Sequence, residues 1–304
     1  RTILLKGAVR GTVSDLKMRK IEIYLTKDTY VKGNFDIYGL PDAENAVFTM
    51  NVDELKTNTW DIVSIELPPF DSTQYVGLPG RYGMLGDISV KGNFVGSSKD
   101  FVAYGEAQTN VGLIKTDLHF YIDTTDNYFH YNGDLQAINF RAGDFYDIAE
   151  MGNVTLNVKV NATGLTVDDL NAKIIGTIPS FTYLGYNYSG ISIDGDLLHT
   201  EKFDGTLNVN DENLKLFFNG NVDFSRKIPS YEITNLDVFG ANLRVLNLVS
   251  DRDSSSSLCM RISAHAQGDE LDNFSGDITA RNIIYYEKGK EYQVKRIYMR
   301  SMEE

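Results

Sequence analysis

The sequence predicts an all-β fold, an elongated and repetitive antiparallel sheet, and three observations carry that expectation. The first is a recurring unit, a glycine followed by Asn, Asp or Thr and then by alternating apolar and polar residues. It appears as Lys32-Gly33-Asn34-Phe35, Lys91-Gly92-Asn93-Phe94, Gly133-Asp134-Leu135, Gly152-Asn153-Val154, Gly195-Asp196-Leu197, Gly205-Thr206-Leu207, Gly220-Asn221-Val222 and Gly276-Asp277-Ile278. Glycine tolerates positive φ, and alternation puts every second side chain on one face, so each unit reads as a strand entered from a tight turn. The second is the rhythm, roughly one strand per 10 to 12 residues between turn signals. The third is composition: 18 Tyr and 16 Phe in 304 residues suit pleated, half-buried surfaces.

Taken in order, Arg1 to Gly7 reads as a strand already in progress, which suggests a fragment of a longer chain. Ile21 to Leu25 and Val31 to Ile37 alternate around Lys27-Asp28-Thr29 and predict a hairpin, which Gly39-Leu40-Pro41-Asp42 ends. Val47 to Val52 is a strand leading into Asp53 to Lys56, read as one helical turn at most. The prolines and glycines between Leu67 and Gly80 mark a loop.

Ile88–Phe94, Val102–Thr109, Gly112–Ile122 and Tyr128–Asn139 predict a four-strand meander, and Gly143 to Gly152 loses the alternation and predicts a short helical crossover. The next run is the cleanest: Val154, Leu156, Val158 and Val160 face one way, and Thr155, Asn157, Lys159 and Asn161 the other. Strands follow at Leu170–Ile178, Phe181–Tyr186, Ile191–Leu197, Phe203–Val209, Leu214–Phe218 and Gly220–Phe224. Gly240 to Leu248 fits a short helix or one more strand. Ser254–Ser257 is a loop, and Ser263–Gln267, Gly276–Arg281 and Ile283–Glu287 resume the strand pattern. No linker divides the chain, so 1–304 reads as a single repetitive domain.

Composition narrows the function. Lys and Arg total 29 against 42 Asp and Glu, and a formal charge of −13 repels phosphate backbones, which argues against nucleic acid as a partner. Apolar residues at 42% allow a large buried surface and argue against disorder. The lone Cys259 excludes an intrachain disulfide and a Cys-based zinc cluster. No stretch of about 18 apolar residues occurs.

The four histidines, at 119, 130, 199 and 265, sit in no metal-ligand spacing, and carboxylate pairs such as Asp168-Asp169 and Asp269-Glu270 read as turn and surface charge. Asp251 to Ser255 lacks the glycine and terminal glutamate of a calcium loop. Neither a nucleophile elbow nor a phosphate-binding glycine loop is present, so the chain is expected to be no enzyme and to need no cofactor. The alternation assigns Ile21, Ile23, Leu25, Val154, Leu156, Val158, Val160, Ile191, Ile193, Leu207, Val209, Leu214, Leu216 and Phe218 to one interior face. Two architectures satisfy it: a closed sandwich, or an open trough whose apolar wall stays available to a ligand.

Several phrases, in order, resemble the TamB and AsmA-like family of bacterial envelope proteins in its Bacteroidetes-type form. They are Gly11 to Leu16, Tyr30 to Phe35 with Gly39-Leu40-Pro41, Phe203 to Leu207 with Phe217 to Phe224, Ala241-Asn242-Leu243 with Leu246-Asn247-Leu248, and Asp269 to Gly276. That resemblance implies the trough, a "β-taco" with a hydrophobic interior. It also implies a periplasmic location and a role as a conduit for phospholipid acyl chains between inner and outer membranes, or in outer-membrane protein assembly as part of a translocation and assembly module. The inner-membrane anchor and the segment that docks an Omp85-type outer-membrane barrel would lie in parts of the full-length protein outside this sequence. The competing expectation is a carbohydrate-binding or adhesin-like β module, with surface Tyr and Trp60 stacking on sugar rings.

Overall fold

The computed structural model describes residues 3–64, 80–123, 125, 128–164, 169–199, 201–249 and 256–301. Among them the chain is all-β, seventeen antiparallel strands with only short helical segments, and it divides into two compact units, Arg1–Ala149 and Glu150–Glu304. The first holds β1 (Leu4–Thr12), β2 (Asp15–Tyr24), β3 (Tyr30–Tyr38), β4 (Val47–Asn58), α1 (Thr59–Val63), a 3-10 segment (Gly80–Leu85), β5 (Asp87–Gly96), β6 (Asp100–Thr109), β7 (Gly112–Ile122), β8 (Phe129–Arg141) and α2 (Ala142–Tyr146). The second holds β9 (Met151–Thr163), β10 (Asn171–Tyr183), β11 (Tyr186–Leu198), β12 (Lys202–Asn210), β13 (Lys215–Asp223), β14 (Ser230–Asn242), β15 (Ser256–Gln267), a 3-10 segment (Leu271–Asn273), β16 (Ser275–Glu287) and β17 (Lys290–Arg300).

Within each unit every strand pairs antiparallel with its neighbours in sequence, β1 to β8 in the first and β9 to β17 in the second. Short turns make this the least costly connection, because antiparallel neighbours need only a few residues between them. Each unit is an open antiparallel sheet: among the described residues no pairing joins β1 to β8 or β9 to β17.

Several boundaries differ from the sequence reading. The helical turn expected at Asp53–Lys56 is strand: Lys32 faces Glu54 and Val31 faces Leu55 across β3 and β4. The turn comes later, in α1, where the Asn58 carboxamide oxygen accepts from the Asp61 backbone N–H at 2.9 Å and so satisfies an orphan donor. Phe181 to Tyr186 is not a strand of its own but the end of β10, the turn at Leu184-Gly185 and the start of β11. The runs expected at Leu214–Phe218 and Gly220–Phe224 merge into one strand, β13, and Gly276–Arg281 and Ile283–Glu287 into β16, whose register against β15 shifts between Arg281 and Ile284 while its pairing continues. Gly240 to Asn242 closes β14, and Leu243 to Asn247 is a turn, with Leu246 N–H donating to Asn242 O at 3.0 Å. Ser256 and Ser257 begin β15. The crossover between β8 and β9 is α2, five residues long. The loop expected between Leu67 and Gly80 lies, except for Gly80, outside the described residues, as do Asp168 and the run Asp251–Ser255.

The recurring glycines have a steric reason. At Gly133 φ is 139°, and a Cβ there would sit 2.0 Å from the Asp117 carbonyl oxygen on β7, so any side chain would push the two strands apart.

Candidate functional site

The registers turn the alternation into rows that cross each sheet. In the first unit an apolar row runs Leu5, Ile23, Val31, Leu55, Val90, Ala107, Ile114, Ala137, one residue from each of eight strands. One position along, on the opposite face, the partners are charged. Lys6 faces Glu22, Glu22 faces Lys32, and Lys32 faces Glu54; beyond a bulge in β4, Lys91 faces Glu106 and Glu106 faces Lys115. The sign alternates strand by strand, the arrangement in which cross-strand neighbours attract. Ion pairs close Lys32–Glu54 at 2.8 Å and Lys91–Glu106 at 2.7 Å.

This ladder sets a pH dependence. Hydrogen bonds from Lys32 and from the Tyr30 hydroxyl, at 2.8 and 2.9 Å, hold the Glu54 carboxyl at about 2, below its ordinary 4.5. A carboxylate whose folded value is depressed stabilises the fold above its unfolded value, and that contribution is lost as pH falls toward the folded one. Thermal melts between pH 5 and 2 should therefore fall more steeply for the wild-type chain than for Glu54→Gln, and parallel curves would show that the ladder adds no stability. Screening at this exposed position keeps the effect modest.

Over the paired Gly92 and Gly105 the charged face dips into a shallow concavity of about 560 Å³, lined among others by Asn51, Asn93, Tyr104, Asp117 and Gln136. Tyr104 is 61% exposed. Trp60, on α1, is 84% exposed and is not among the residues lining this concavity.

In the second unit the apolar row runs Val158, Gly176, Ile193, Leu207, Phe218, Leu236, Ile262, Ala280, Ile297, unbroken across nine strands and free of polar side chains. A neighbouring row joins Ile178, Ile191, Val209, Leu216, Val238 and Met260. Val160 opposes Ile174 and Val154 opposes Phe181 on β10, and Leu156 precedes Asn157, which opposes Thr177. Of the residues singled out from sequence, Ile21, Val158, Val160, Ile191 and Val209 are buried, Leu25 is exposed, and the remainder are half-buried. Ile21, Ile23 and Leu25 belong to the first unit, Ile21 and Ile23 on β2 and Leu25 in the turn that follows it; the other eleven belong to the second.

The wall is closed at one end of the second unit. Tyr188, Ile191, Val209, Val238, Ala241 and Leu246 form its buried cluster, with Leu246 fully enclosed. Tyr188 and Ile191 are three residues apart and both enter it, with Gly190 between them at φ 61°. The turn Leu243–Asn247 lies over this end and is pinned by the Asn247 carboxamide, which donates to Leu184 O at 2.8 Å. Asp211 ties the adjacent turn. Burial pushes its carboxyl up, but hydrogen bonds from the Tyr186 hydroxyl, the Ser189 hydroxyl and N–H and the Asn213 N–H outweigh burial and leave it below the ordinary carboxylate range. Sequence reading missed this capped end: Leu246 stands in an ambiguous segment, and only tertiary packing encloses it.

Among the described residues no three His, Cys, Asp or Glu side chains converge as a metal site, and no helix is long and apolar enough to cross a membrane. No protein-family model, curated protein or solved structure matches the chain.

Proposed function

We propose that the apolar face of the curled sheet is a non-catalytic seat for lipid acyl chains, the function the TamB and AsmA-like resemblance implies. The row from Val158 to Ile297 carries this reading. It offers a continuous hydrocarbon strip on an open sheet, its central members Ile193, Leu207, Phe218, Leu236, Ile262 and Ala280 are half-buried, and it holds no polar group that a hydrocarbon would leave unpaired. Each methylene taken from water into such a strip contributes about 0.8 kcal/mol, so an acyl chain binds through length rather than through any specific contact. The charged ladder on the other face of the first unit keeps that surface in water. In this reading phospholipid is the cargo and the periplasm the compartment. The inner-membrane anchor and the contact with an Omp85-type barrel are supplied by other parts of a longer protein.

A second reading, a carbohydrate-binding module, draws on the concavity above Gly92 and Gly105, where amide and carboxylate side chains surround the exposed Tyr104 ring. One experiment separates the two. Solvent extraction of the purified chain followed by mass spectrometry is expected to release phospholipid in near-stoichiometric amount. A lipid-free chain that binds glycans and loses them on Tyr104→Ala would replace the conduit with the sugar site.

A further inference from the structure

The polar face of the second unit holds a concavity of about 360 Å³ at the strand ends opposite the capped ones. Lys202, Asp223 and Ser230 line it from the end row of the registers, and Asn221, Glu232 and His265 from the next row in. Every strand that contributes, β12 to β16, has a paired neighbour on both sides, so no wall of the cavity is a sheet edge.

Charges of both signs line this cavity without cancelling. Lys202 and Glu232 stand two strand spacings apart, about 10 Å. Among the described residues neither side chain makes a hydrogen bond or an ion pair. Asp223, by contrast, is committed: the Ser225 hydroxyl donates to it at 2.5 Å and the Ser225 N–H at 3.0 Å, which holds its carboxyl below the ordinary carboxylate range. Arg226 Nε lies 3.8 Å from Asp223, beyond hydrogen-bond distance, and its side chain is 70% exposed, so its guanidinium donors stay open to a further acceptor. The cations therefore sit at the strand ends. One row in, the balance is acidic: Asp204 faces Asn221, Asn221 faces Glu232, Glu232 faces His265 and His265 faces Asp277.

The same strand ends carry exposed hydrocarbon. On the turn that joins β13 to β14, Phe224 is 55% and Ile228 40% exposed, and the Phe224 ring meets that of Tyr231 at 5.9 Å. Tyr231 borders the cavity and, from the apolar face, stands in the row Leu197, Phe203, Val222, Tyr231, Ala266, on the same side of the sheet as Leu207 and Phe218. Polar cavity and apolar wall thus meet over one turn.

We propose that this cavity is a binding site for a zwitterionic phosphate ester of the phosphoethanolamine class, with the phosphate between Lys202 and Arg226 and the ammonium at Glu232. The order of charges matches that of a phospholipid head. The phosphate, nearest the acyl chains, meets cations at the strand ends; the ammonium, farthest from them, meets the acids one row in. A head without an ammonium leaves Glu232 beside an uncompensated anion. Assignment to a lipid head rests on the acyl-chain reading of the wall, and a free ester is the other source of the same chemistry.

The test is titration calorimetry on the detergent-washed chain with three probes: glycerophosphoethanolamine, glycerophosphoglycerol, which lacks the ammonium, and monomeric dihexanoylphosphatidylethanolamine. Glycerophosphoethanolamine is expected to bind at least ten-fold tighter than glycerophosphoglycerol. Glu232→Gln should abolish that preference, and Lys202→Gln should weaken both esters about ten-fold; neither side chain has a partner to lose, so thermal melts should stay in place. Tighter binding of the dihexanoyl ester, reduced by Phe224→Ser, supports the site with a lipid head as its source, and equal binding supports it with a free ester. No binding by either ethanolamine ester, equal affinity for the glycerol ester, or indifference to both Gln variants would overturn the proposal. Lipid in the solvent extract with no ester bound would remove this site and leave the conduit, whereas ester bound by a chain that yields no lipid would do the reverse.

Discussion

Leu246→Ala is expected to lower the stability of the second unit by about 3 kcal/mol, the mid-range cost of removing a leucine from a site that cannot collapse. The site earns that magnitude through its enclosure: Leu246 is fully buried and packs in a cluster with Tyr188, Ile191, Val209, Val238 and Ala241. Collapse is opposed because the turn carrying Leu246 is fixed at both sides, by Leu243 N–H to Ser256 O at 3.1 Å and by the Asn247 carboxamide to Leu184 O. The measurement is a urea melt read at the midpoint, with an unchanged slope indicating that stability rather than denatured-state compactness has moved. Leu248→Ala is the comparison: that residue is 50% exposed two positions on and should change the midpoint little. Equal midpoints for the two variants would mean that the turn does not cap the apolar wall.

The strand order of both units was legible in the sequence because alternation, turn residues and pairing with the nearest neighbour agree at most places. Ile23 opposite Val31, or Leu207 opposite Phe218, follows from the short turns alone. Two strands were not foreseen, and the reasons differ. β14 begins Ser230-Tyr231-Glu232-Ile233 in clear alternation, but register shifts on both sides break the pattern before Val238. β17 is exposed on both faces, so no buried stripe marks it, and only pairing with β16 makes it a strand.

The apolar positions of the candidate wall could be named from parity. Their degree of burial could not, since Val209 at 5% and the half-buried Leu207 two residues earlier read alike in sequence. The difference comes from what folds over each end of the sheet. The charged cavity was likewise invisible, because Lys202, Glu232 and His265 are far apart in the chain and only the register of β12 to β15 brings them together.

Phe218→Arg is the change expected to separate a lipid wall from a sealed core. Phe218 is half-buried in the middle of the apolar row, between Leu207 and Leu236, and its ring meets Phe203 at 6.0 Å. An arginine there can lay its methylenes along the wall and carry its guanidinium toward the open side, so the fold is expected to survive with a loss of about 1–2 kcal/mol. The same charge at Val209 has no such exit. Val209 lies inside the capped cluster, and an unpaired guanidinium buried among Tyr188, Ile191 and Leu246 should cost several kcal/mol and unfold the unit. Lipid recovered per folded chain gives the second reading of the pair: Phe218→Arg places a charge where acyl chains would lie and should reduce it several-fold. Melting and lipid extraction on both variants therefore distinguish the outcomes. A folded Phe218→Arg chain with depleted lipid supports the open wall. Collapse of Phe218→Arg to the same extent as Val209→Arg would mean that the row is sealed, and a folded variant with undiminished lipid would mean that the lipid lies elsewhere.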